Sequence, residues 1–213
     1  MPRLMTFGDS NTFGTPPMTA RGTFARYGRE TRWPTRAAKA LGPDWELIEE
    51  GLPGRTTAFC DPVMGDHLNG QIGFRIALCS HGPLDALTIM LGTNDVKPRM
   101  MADPRRILGG IAGLIDMAFS PEMTARHPGL RILLIAPPPV IEAGVLGGDF
   151  HGGKESSSAL AGLYRDYARA RGIGFLDAGA HVAVSPVDGV HWEPEGHAAM
   201  AEAVTEALKE LMA

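Results

Sequence analysis

Short apolar runs alternate along the chain with longer stretches that have helical spacing. The apolar runs predict strands, several of them buried on both faces of a sheet. The predicted strands are Arg3–Phe7, Trp45–Glu50, Ala86–Leu91, Arg131–Ala136 and Gly174–Asp177, and the second of them carries three glutamates. Apolar residues three and four positions apart predict the helices. The helical stretches are Trp33–Leu41, Leu68–Ser80, Pro104–Met117, Ser157–Arg171 and Pro194–Met212. The alternation predicts a three-layer α/β fold with a parallel sheet of about five strands.

The stretch Val140–Ser158 interrupts this alternation. It is rich in glycine and contains LGGDFHGGKESSS, so we predict the longest irregular loop here. Long ordered loops in compact domains are often lids or interfaces, and disorder is the alternative. The sequence leaves both open.

Length and composition indicate one globular domain over residues 1–213. There are no internal repeats and no linker-like change in composition, and a chain of this size buries a core without disulfides. Hydrophobic residues make up 44%, charged residues 21%, and the formal net charge is -4. This balance predicts little affinity for nucleic acid or for anionic membranes.

The cysteines and the longest apolar run indicate in which cellular compartment the protein lies. Two cysteines, Cys60 and Cys79, are too few for a disulfide framework, and they lack the spacing of metal ligands. We therefore expect reduced thiols. The run Ile132–Ile141 is broken by three prolines and is too short to span a membrane. The first residues lack the apolar core of a signal peptide. We therefore expect a cytoplasmic protein.

Polar residues follow four of the predicted strands or turns. Ligands of an open parallel sheet bind beyond the carboxyl ends of its strands. The polar segments are Gly8-Asp9-Ser10-Asn11, Gly51–Thr57, Gly92–Asp95 and Asp188–His191. Together they supply a hydroxyl, an imidazole, a carboxylate, an amide and glycine backbone, which are the parts needed for acyl transfer through a serine ester.

Each of these residues taken alone also has a plainer interpretation. Ser10 lies among residues that favour turns, and the Asp-Gly pair at Asp188 is a frequent turn that would leave His191 on the surface. Asn94 could cap a turn, and Gly54 could simply permit a positive φ. The functional interpretation is that Asp188 orients His191, while Asn94 and Gly54 donate N–H groups to an oxyanion.

Taken in order, the four segments resemble the four blocks of the SGNH, or GDSL-type, hydrolases, from residue 8 to residue 191. The stretches FGDSNTFG, ELIEEGLPGRTT, IMLGTND and DGVHWEPEGH are similar to the bacterial arylesterase and acyltransferase branch. This resemblance implies a flavodoxin-like α/β/α fold, no metal and no cofactor. It also implies homo-oligomers, up to octamers, that narrow the entrance of the active site.

The resemblance implies a role for each matching residue. By position, Ser10 is the nucleophile, His191 the base and Asp188 its orienting carboxylate. The backbone N–H groups of Ser10 and Gly54 and the side chain of Asn94 are the oxyanion donors. The expected substrate is a small ester with a short acyl or aryl group, and acyl transfer to alcohols or peroxide is expected beside hydrolysis. A carbohydrate acetyl esterase is the alternative.

One departure from the family pattern concerns the acyl pocket. Asn11 follows the serine where the family usually has leucine, which bears on the polarity of that pocket. A set of apolar residues could line the pocket or an interface: Phe13, Pro16, Pro17, Met18, Phe24 and Phe150.

Other polar residues near the four segments are expected to have structural roles. His197 falls inside the last helical pattern without a carboxylate three positions earlier, so His191 is favoured as the base. Asp9 and Asp95 are expected to anchor their loops by hydrogen bonds. Arg55 is expected to hold the Gly54 loop by a charge-assisted bond, and contact with an anionic substrate is the alternative. The remaining histidines are expected to be solvated or structural: His67, His81, His127, His151 and His181.

Two other functions compete with ester hydrolysis as explanations of these residues. Asp61, Asp66 and His67 could suggest a metal site, but their spacing matches no ligand motif and a polar loop is the simpler interpretation. A flavodoxin-like module could instead bind a phosphate or nucleotide at the same strand ends. The chain has neither GxGxxG nor GxxxxGK[ST] at these ends.

Overall fold

Five parallel strands form one sheet at the centre of the computed structural model, which describes residues 1–213. The strands are β1 (Arg3–Gly8), β2 (Glu46–Gly51), β3 (Ala86–Met90), β4 (Arg131–Ala136) and β5 (Gly174–Asp177). They lie in the order β2-β1-β3-β4-β5, and all neighbours are parallel. Gly8 pairs with Gly51 on one side and with Met90 on the other, so three strands end level with one another.

Helices cover both faces of this sheet. They are α1 (Ser10–Phe13), α2 (Trp33–Leu41), α3 (Gly70–Ser80), α4 (Pro104–Ala118), α5 (Pro121–Arg126), α6 (Gly153–Arg171) and α7 (Pro194–Met212). Apolar residues of α3, α4 and α6 pack on one face, and those of α2 and α7 pack on the other. The predicted three-layer α/β/α fold with a five-stranded parallel sheet is therefore confirmed. No helix is long and apolar enough to cross a membrane.

Alternation along the strands explains their continuous apolar runs. In β1, Leu4 belongs to the core under α2 and α7, while Met5 belongs to the core under α3, α4 and α6. Leu133 and Leu134 divide in the same way in β4. Successive side chains of a strand point to opposite faces, so a strand that is covered twice needs apolar residues at every position.

The stretch Val140–Ser158 is not the single irregular loop that the sequence predicted. Residues Gly144–Phe150 form 3₁₀ turns, and α6 begins at Gly153, four positions before the predicted start. A Cβ at Gly153 would lie 2.9 Å from Val96 Cγ2, so this glycine reflects close packing of a helix rather than a flexible loop. The short helices α1 and α5 were also not predicted.

Candidate active site

The turn after β1 is the start of a short helix. Asp9 accepts a hydrogen bond from the backbone N–H of Asn11 at 3.0 Å and so caps α1, whose first residue is Ser10. Backbone N–H groups in the first turn of a helix have no intrahelical acceptor. The segment is therefore both the turn that its composition indicates and a support that holds the Ser10 hydroxyl at the carboxyl end of the sheet.

Ser10, His191 and Asp188 form one hydrogen-bonded chain. His191 Nε2 lies 3.0 Å from Ser10 Oγ, and His191 Nδ1 lies 2.6 Å from Asp188 Oδ2. All three residues are buried. The structure thus brings together a hydroxyl and an imidazole that are 181 positions apart in the chain.

The charge state of Asp188 decides which nitrogen of His191 carries the proton. Burial alone would raise the pKa of Asp188, but the hydrogen bonds from His191 and from the backbone N–H of Met18 hold that pKa below its ordinary value. An ionised carboxylate only accepts hydrogen bonds, so Nδ1 of neutral His191 carries the proton. Nε2 is then the acceptor that faces the Ser10 hydroxyl.

A tight turn joins Asp188 to His191. Gly189 adopts φ +79, and a Cβ there would lie 1.9 Å from the carbonyl oxygen of Ile141, so only glycine fits. The backbone N–H of Ile141 donates to the Gly189 carbonyl at 2.9 Å, and the N–H of Ser185 donates to the His191 carbonyl at 2.8 Å. The Asp188–His191 turn, which resembles an ordinary turn in the sequence, therefore sets the distance between the Asp188 carboxylate and the His191 imidazole.

Gly54 and Asn94 lie on the wall of the same cavity as Ser10 and His191. Gly54 has φ +88, which glycine adopts without strain. Asn94 Nδ2 donates one hydrogen bond to the Arg55 carbonyl at 3.1 Å. A primary amide has two N–H donors, so a second donor remains for a ligand. Four residues of the predicted site therefore line one cavity, and the fifth, Asp188, is buried and bonded to His191 outside the lining.

Asp9, Asp95 and Arg55 anchor the surrounding loops, as expected. Asp95 is fully buried and accepts hydrogen bonds from the Thr57 backbone N–H at 2.9 Å and from its hydroxyl at 2.5 Å. Burial raises the pKa of Asp95 to about 6, against the effect of these bonds. Arg55 Nη1 donates to the Gly8 carbonyl at 2.9 Å, and burial lowers the pKa of Arg55 to about 10. Arg55 is not among the cavity-lining residues.

Asn11 has a role that the sequence did not predict. Its side chain is buried, and Nδ2 donates to the Val190 carbonyl at 3.1 Å. The backbone carbonyl of Asn11 accepts from Trp33 Nε1 at 3.1 Å. It does not line the cavity. The departure from leucine at this position therefore leaves the polarity of the cavity wall unchanged and instead links α1 to the His191 segment.

The cavity above Ser10 has a volume of about 360 Å³, at the small end of the range for ligand pockets. Of the six apolar candidates from the sequence, Met18, Phe24 and Phe150 line it, and Phe13, Pro16 and Pro17 do not. The stretch Val140–Ser158 forms part of its wall through Leu146, Asp149 and Phe150. Sequence reasoning missed the charged part of the wall, which consists of Arg21, Lys97, Arg99 and Asp149.

The other histidines lie outside this cavity. His197 is fully buried between Tyr27 and Trp192, and its Nδ1 accepts a hydrogen bond from the Trp33 backbone N–H at 3.4 Å. Burial lowers the pKa of His197 to about 4. His127 is also buried, with both ring nitrogens bonded to backbone groups.

Asp61 does not take part in a cluster of metal ligands. Its carboxylate accepts hydrogen bonds from Arg99 and from the backbone N–H groups of Val63 and Met64. No group of three His, Cys, Asp or Glu side chains anywhere in the structure is placed to hold a metal ion.

A serine hydroxyl with an imidazole and a carboxylate at the carboxyl edge of a parallel sheet defines a class of α/β serine ester hydrolases, and this chain is one of them. The model of the GDSL-like lipase/acylhydrolase family matches residues 6–199. The chain belongs to that family, as the resemblance implied. The non-enzymatic binding module is therefore not supported.

Several solved structures resemble the whole chain. Est24, a carbohydrate acetylesterase from Sinorhizobium meliloti, is 33% identical with a TM-score of 0.93, covering 99% of this chain and 100% of its own. The native aryl esterase of M. smegmatis is 32% identical with a TM-score of 0.91, at the same coverage. A carbohydrate acetylesterase family member from Sinorhizobium meliloti is 34% identical with a TM-score of 0.89, covering 100% of this chain and 99% of its own. No curated protein sequence matches this chain.

Proposed function

We propose that the chain hydrolyses small carboxylic esters, with short acyl or aryl groups, through an acyl-enzyme on Ser10. In this proposal His191 is the base, Asp188 orients it, and Ser10 N–H, Gly54 N–H and the Asn94 amide are the oxyanion donors. The observation that carries it is the 3.0 Å contact between Ser10 Oγ and His191 Nε2, with Nδ1 held 2.6 Å from Asp188. The cavity of about 360 Å³ supports a small substrate.

The proposed reaction has two halves. His191 Nε2 takes the proton from Ser10 Oγ as the oxygen attacks the ester carbonyl, and the oxyanion donors stabilise the tetrahedral intermediate. The C–O bond to the alcohol then breaks, and the alcohol leaves with the proton from His191. Water attacks the acyl-enzyme in the second half, with His191 again as base, which releases the acid and regenerates Ser10.

Transfer of the acyl group uses the same intermediate. An alcohol or a peroxide that replaces water in the second half gives a new ester or a peracid. Exclusion of water favours this outcome. The apolar lining residues Met18, Met64, Leu146 and Phe150 support such exclusion.

Hydrolysis of acetylated carbohydrates is the second candidate. The cavity wall carries the hydrogen-bonding side chains of Thr15, Thr23 and Asp149, which suit a polyhydroxylated alcohol part. The likeness to two proteins described as carbohydrate acetylesterase or a member of that family also supports it.

A panel of para-nitrophenyl esters of rising chain length, set beside acetylated sugars, separates these two substrate classes. Comparison of the wild type with Ser10→Ala tests the assignment itself, because the variant should neither turn over esters nor react with a fluorophosphonate. Ester hydrolysis by Ser10→Ala near the wild-type rate, with thermal unfolding unchanged, would overturn the role of Ser10.

We also propose that the protein acts as a homo-oligomer, up to an octamer, whose neighbouring copies narrow the cavity entrance. Two apolar side chains on the cavity wall support this: Phe24 is 83% exposed and Val63 is 75% exposed. Contact with a second copy would remove this apolar surface from water. Sedimentation velocity should give a species larger than the monomer, which a Phe24→Asp, Val63→Asp double variant should shift toward the monomer. A strict monomer across micromolar concentrations would contradict the proposal.

We propose a cytoplasmic location because neither cysteine forms a disulfide. Cys60 and Cys79 are exposed and unpaired. Exposed free thiols persist in a reducing compartment. Fractionation of cells that produce the protein tests this location, and recovery outside the cytoplasm would contradict it.

A further inference from the structure

Two arginines share the carboxylates beside the cavity. Arg99 donates from Nε and Nη2 to Asp61, at 3.0 and 2.8 Å, and its Nη1 lies 3.4 Å from Asp149. Arg21 Nη1 lies 2.9 Å from the other oxygen of Asp149. Both carboxylates are therefore bonded to guanidinium groups, and neither lies within 4.0 Å of the third cation on this wall.

Lys97 is that third cation. It lines the same cavity as Ser10 and His191 and is only 7% exposed. No carboxylate oxygen lies within 4.0 Å of its ammonium group, and it donates no hydrogen bond to a protein acceptor. Its Nζ lies 5.2 Å from the centre of the Phe150 ring, which contacts one side of the ammonium group. The ammonium group therefore keeps its three donors free for a ligand in the cavity.

We propose that Lys97 is a specificity determinant that binds a carboxylate on the ester substrate, so that the enzyme prefers anionic esters to neutral esters of the same shape. This inference rests on the proposed function of the cavity. The carboxylate can belong to the acyl part or to the alcohol part, because either part of an ester bound at Ser10 occupies the cavity that Lys97 lines. A charged oxygen fits better than a neutral one because no carboxylate of the protein pairs directly with the ammonium group.

The charges around Lys97 give the preference a pH dependence. Burial lowers the pKa of Lys97 to about 8; Arg99 adds to this effect, and Asp61, Asp149 and Asp9 oppose it. The ammonium form, which binds an anion, therefore predominates at neutral pH. The preference for an anionic ester should decline as the pH rises through about 8.

Two matched pairs of esters test the proposal and separate the two parts of the substrate. The acyl-side pair is para-nitrophenyl hemisuccinate and para-nitrophenyl isocaproate, in which an isopropyl group replaces the carboxylate. The alcohol-side pair is para-acetoxybenzoate and para-isopropylphenyl acetate. The measured quantity is the ratio of kcat/KM for the anionic ester to kcat/KM for the neutral ester, in the wild type, Lys97→Met and Lys97→Arg.

Lys97→Met should lower this ratio by at least about tenfold in one of the pairs, mainly through KM, because hydrogen bonds to charged groups are among the stronger ones. Lys97→Arg should keep the ratio within about threefold of the wild type, since it retains the charge. Ratios that change less than about threefold in both pairs would overturn the proposal. Such a result would mean that Lys97 only packs against Phe150.

Separate measurements distinguish a wrong role for Lys97 from a wrong proposed function. Hydrolysis of para-nitrophenyl acetate and fluorophosphonate labelling of Ser10 test the proposed function, and the ratio alone tests Lys97. If Lys97→Met does not fold, the wild type provides the answer, because its ratio of anionic to neutral ester should fall between about pH 7 and pH 9 in at least one of the two pairs. Wild-type ratios that stay flat over this range in both pairs would overturn the proposal.

Discussion

Asn11 Nδ2 donates a hydrogen bond to the carbonyl oxygen of Val190 at 3.1 Å, and this bond joins the helix that starts at Ser10 to the residue before His191. The two residues are 179 positions apart. Asn11 also accepts from Trp33 Nε1 through its backbone carbonyl, so its side chain and its backbone both hold the segment in place. The bond fixes the two sides of the Ser10–His191 contact relative to each other.

Asn11→Leu should lower both stability and turnover. The substitution leaves the buried Val190 carbonyl without its donor, at a cost of about 1–3 kcal/mol of unfolding free energy, which removal of the unpaired Asn11 Oδ1 partly offsets. We expect kcat to fall on the order of tenfold with little change in KM, because small misplacements of reacting groups slow the chemical step. Urea unfolding and steady-state kinetics measure the two effects.

Thr12→Val is the matched control for Asn11→Leu. Thr12 lies on the same helix and is buried, but its hydroxyl has no hydrogen-bond partner. Its replacement by the isosteric valine should leave kcat and stability near wild type. Equal behaviour of the two variants would contradict the role given to Asn11.

Asp188→Asn should reduce kcat by about 10,000-fold, because an amide favours the wrong tautomer of the neighbouring histidine. The variant should still fold, at a cost of about 1–3 kcal/mol, because the amide NH₂ cannot accept from the Met18 backbone N–H. The asparagine keeps one oxygen to accept the backbone N–H groups of Val190 and His191, which Asp188 Oδ1 accepts at 3.0 and 2.9 Å. Steady-state kinetics and thermal unfolding test this together. Asp177→Asn, which alters a carboxylate that caps a distant turn, should keep full activity.

Asn94→Ala should reduce kcat by about 100- to 1,000-fold, with KM nearly unchanged, since an oxyanion donor acts mainly in the transition state. The Arg55 carbonyl also loses its donor, which should cost about 1 kcal/mol of stability. A kcat within tenfold of wild type would remove Asn94 from the proposed oxyanion site. Asn94→Asp keeps the shape and loses the N–H donors, so it should show the same loss of rate.

His197 should make the protein sensitive to acid. Its pKa falls from 6.5 to about 4 on burial, so between these values the unfolded chain binds a proton that the folded chain does not. This contribution to stability is present above about pH 6.5 and is lost as the pH falls toward 4. The unfolding free energy should therefore decline over this window.

Urea unfolding at a series of pH values measures the contribution of His197. His197→Gln should unfold more easily at neutral pH but show a smaller decline between pH 6.5 and pH 4. His181→Gln replaces an exposed histidine and should leave the decline as in the wild type. An equally steep decline in His197→Gln and the wild type would exclude His197 as the cause.

The periodicity of the chain was sufficient to predict all five strands and the five longest helices. Runs such as Arg131–Ala136 carry the signal of a strand covered on both faces. Helix starts were harder to predict where glycine serves packing, as at Gly153, whose neighbour Val96 lies far away in sequence. The short helix α5 was too brief for helical spacing to reveal.

The order and types of polar residues at the strand ends were sufficient to predict which residues meet. Ser10, Gly54, Asn94, Asp188 and His191 follow from segments that a parallel sheet brings to one edge. Lys97 was not predicted, because nothing local shows that Asp61 and Asp149 are taken by arginines. Its lack of an anionic partner is a property of the assembled cavity.

Sequence by itself therefore determined the layers of the fold and the edge of the sheet at which the chemistry lies, because strand periodicity and turn chemistry are local. The roles of the proposed site residues came from the resemblance of four ordered segments to one family. Tertiary structure alone decided the contact between Ser10 and His191, the direction of the Asn11 side chain and the lack of a direct anionic partner for Lys97. Each of these depends on burial and on partners from distant segments. Such partners come within hydrogen-bonding distance only when the chain is folded.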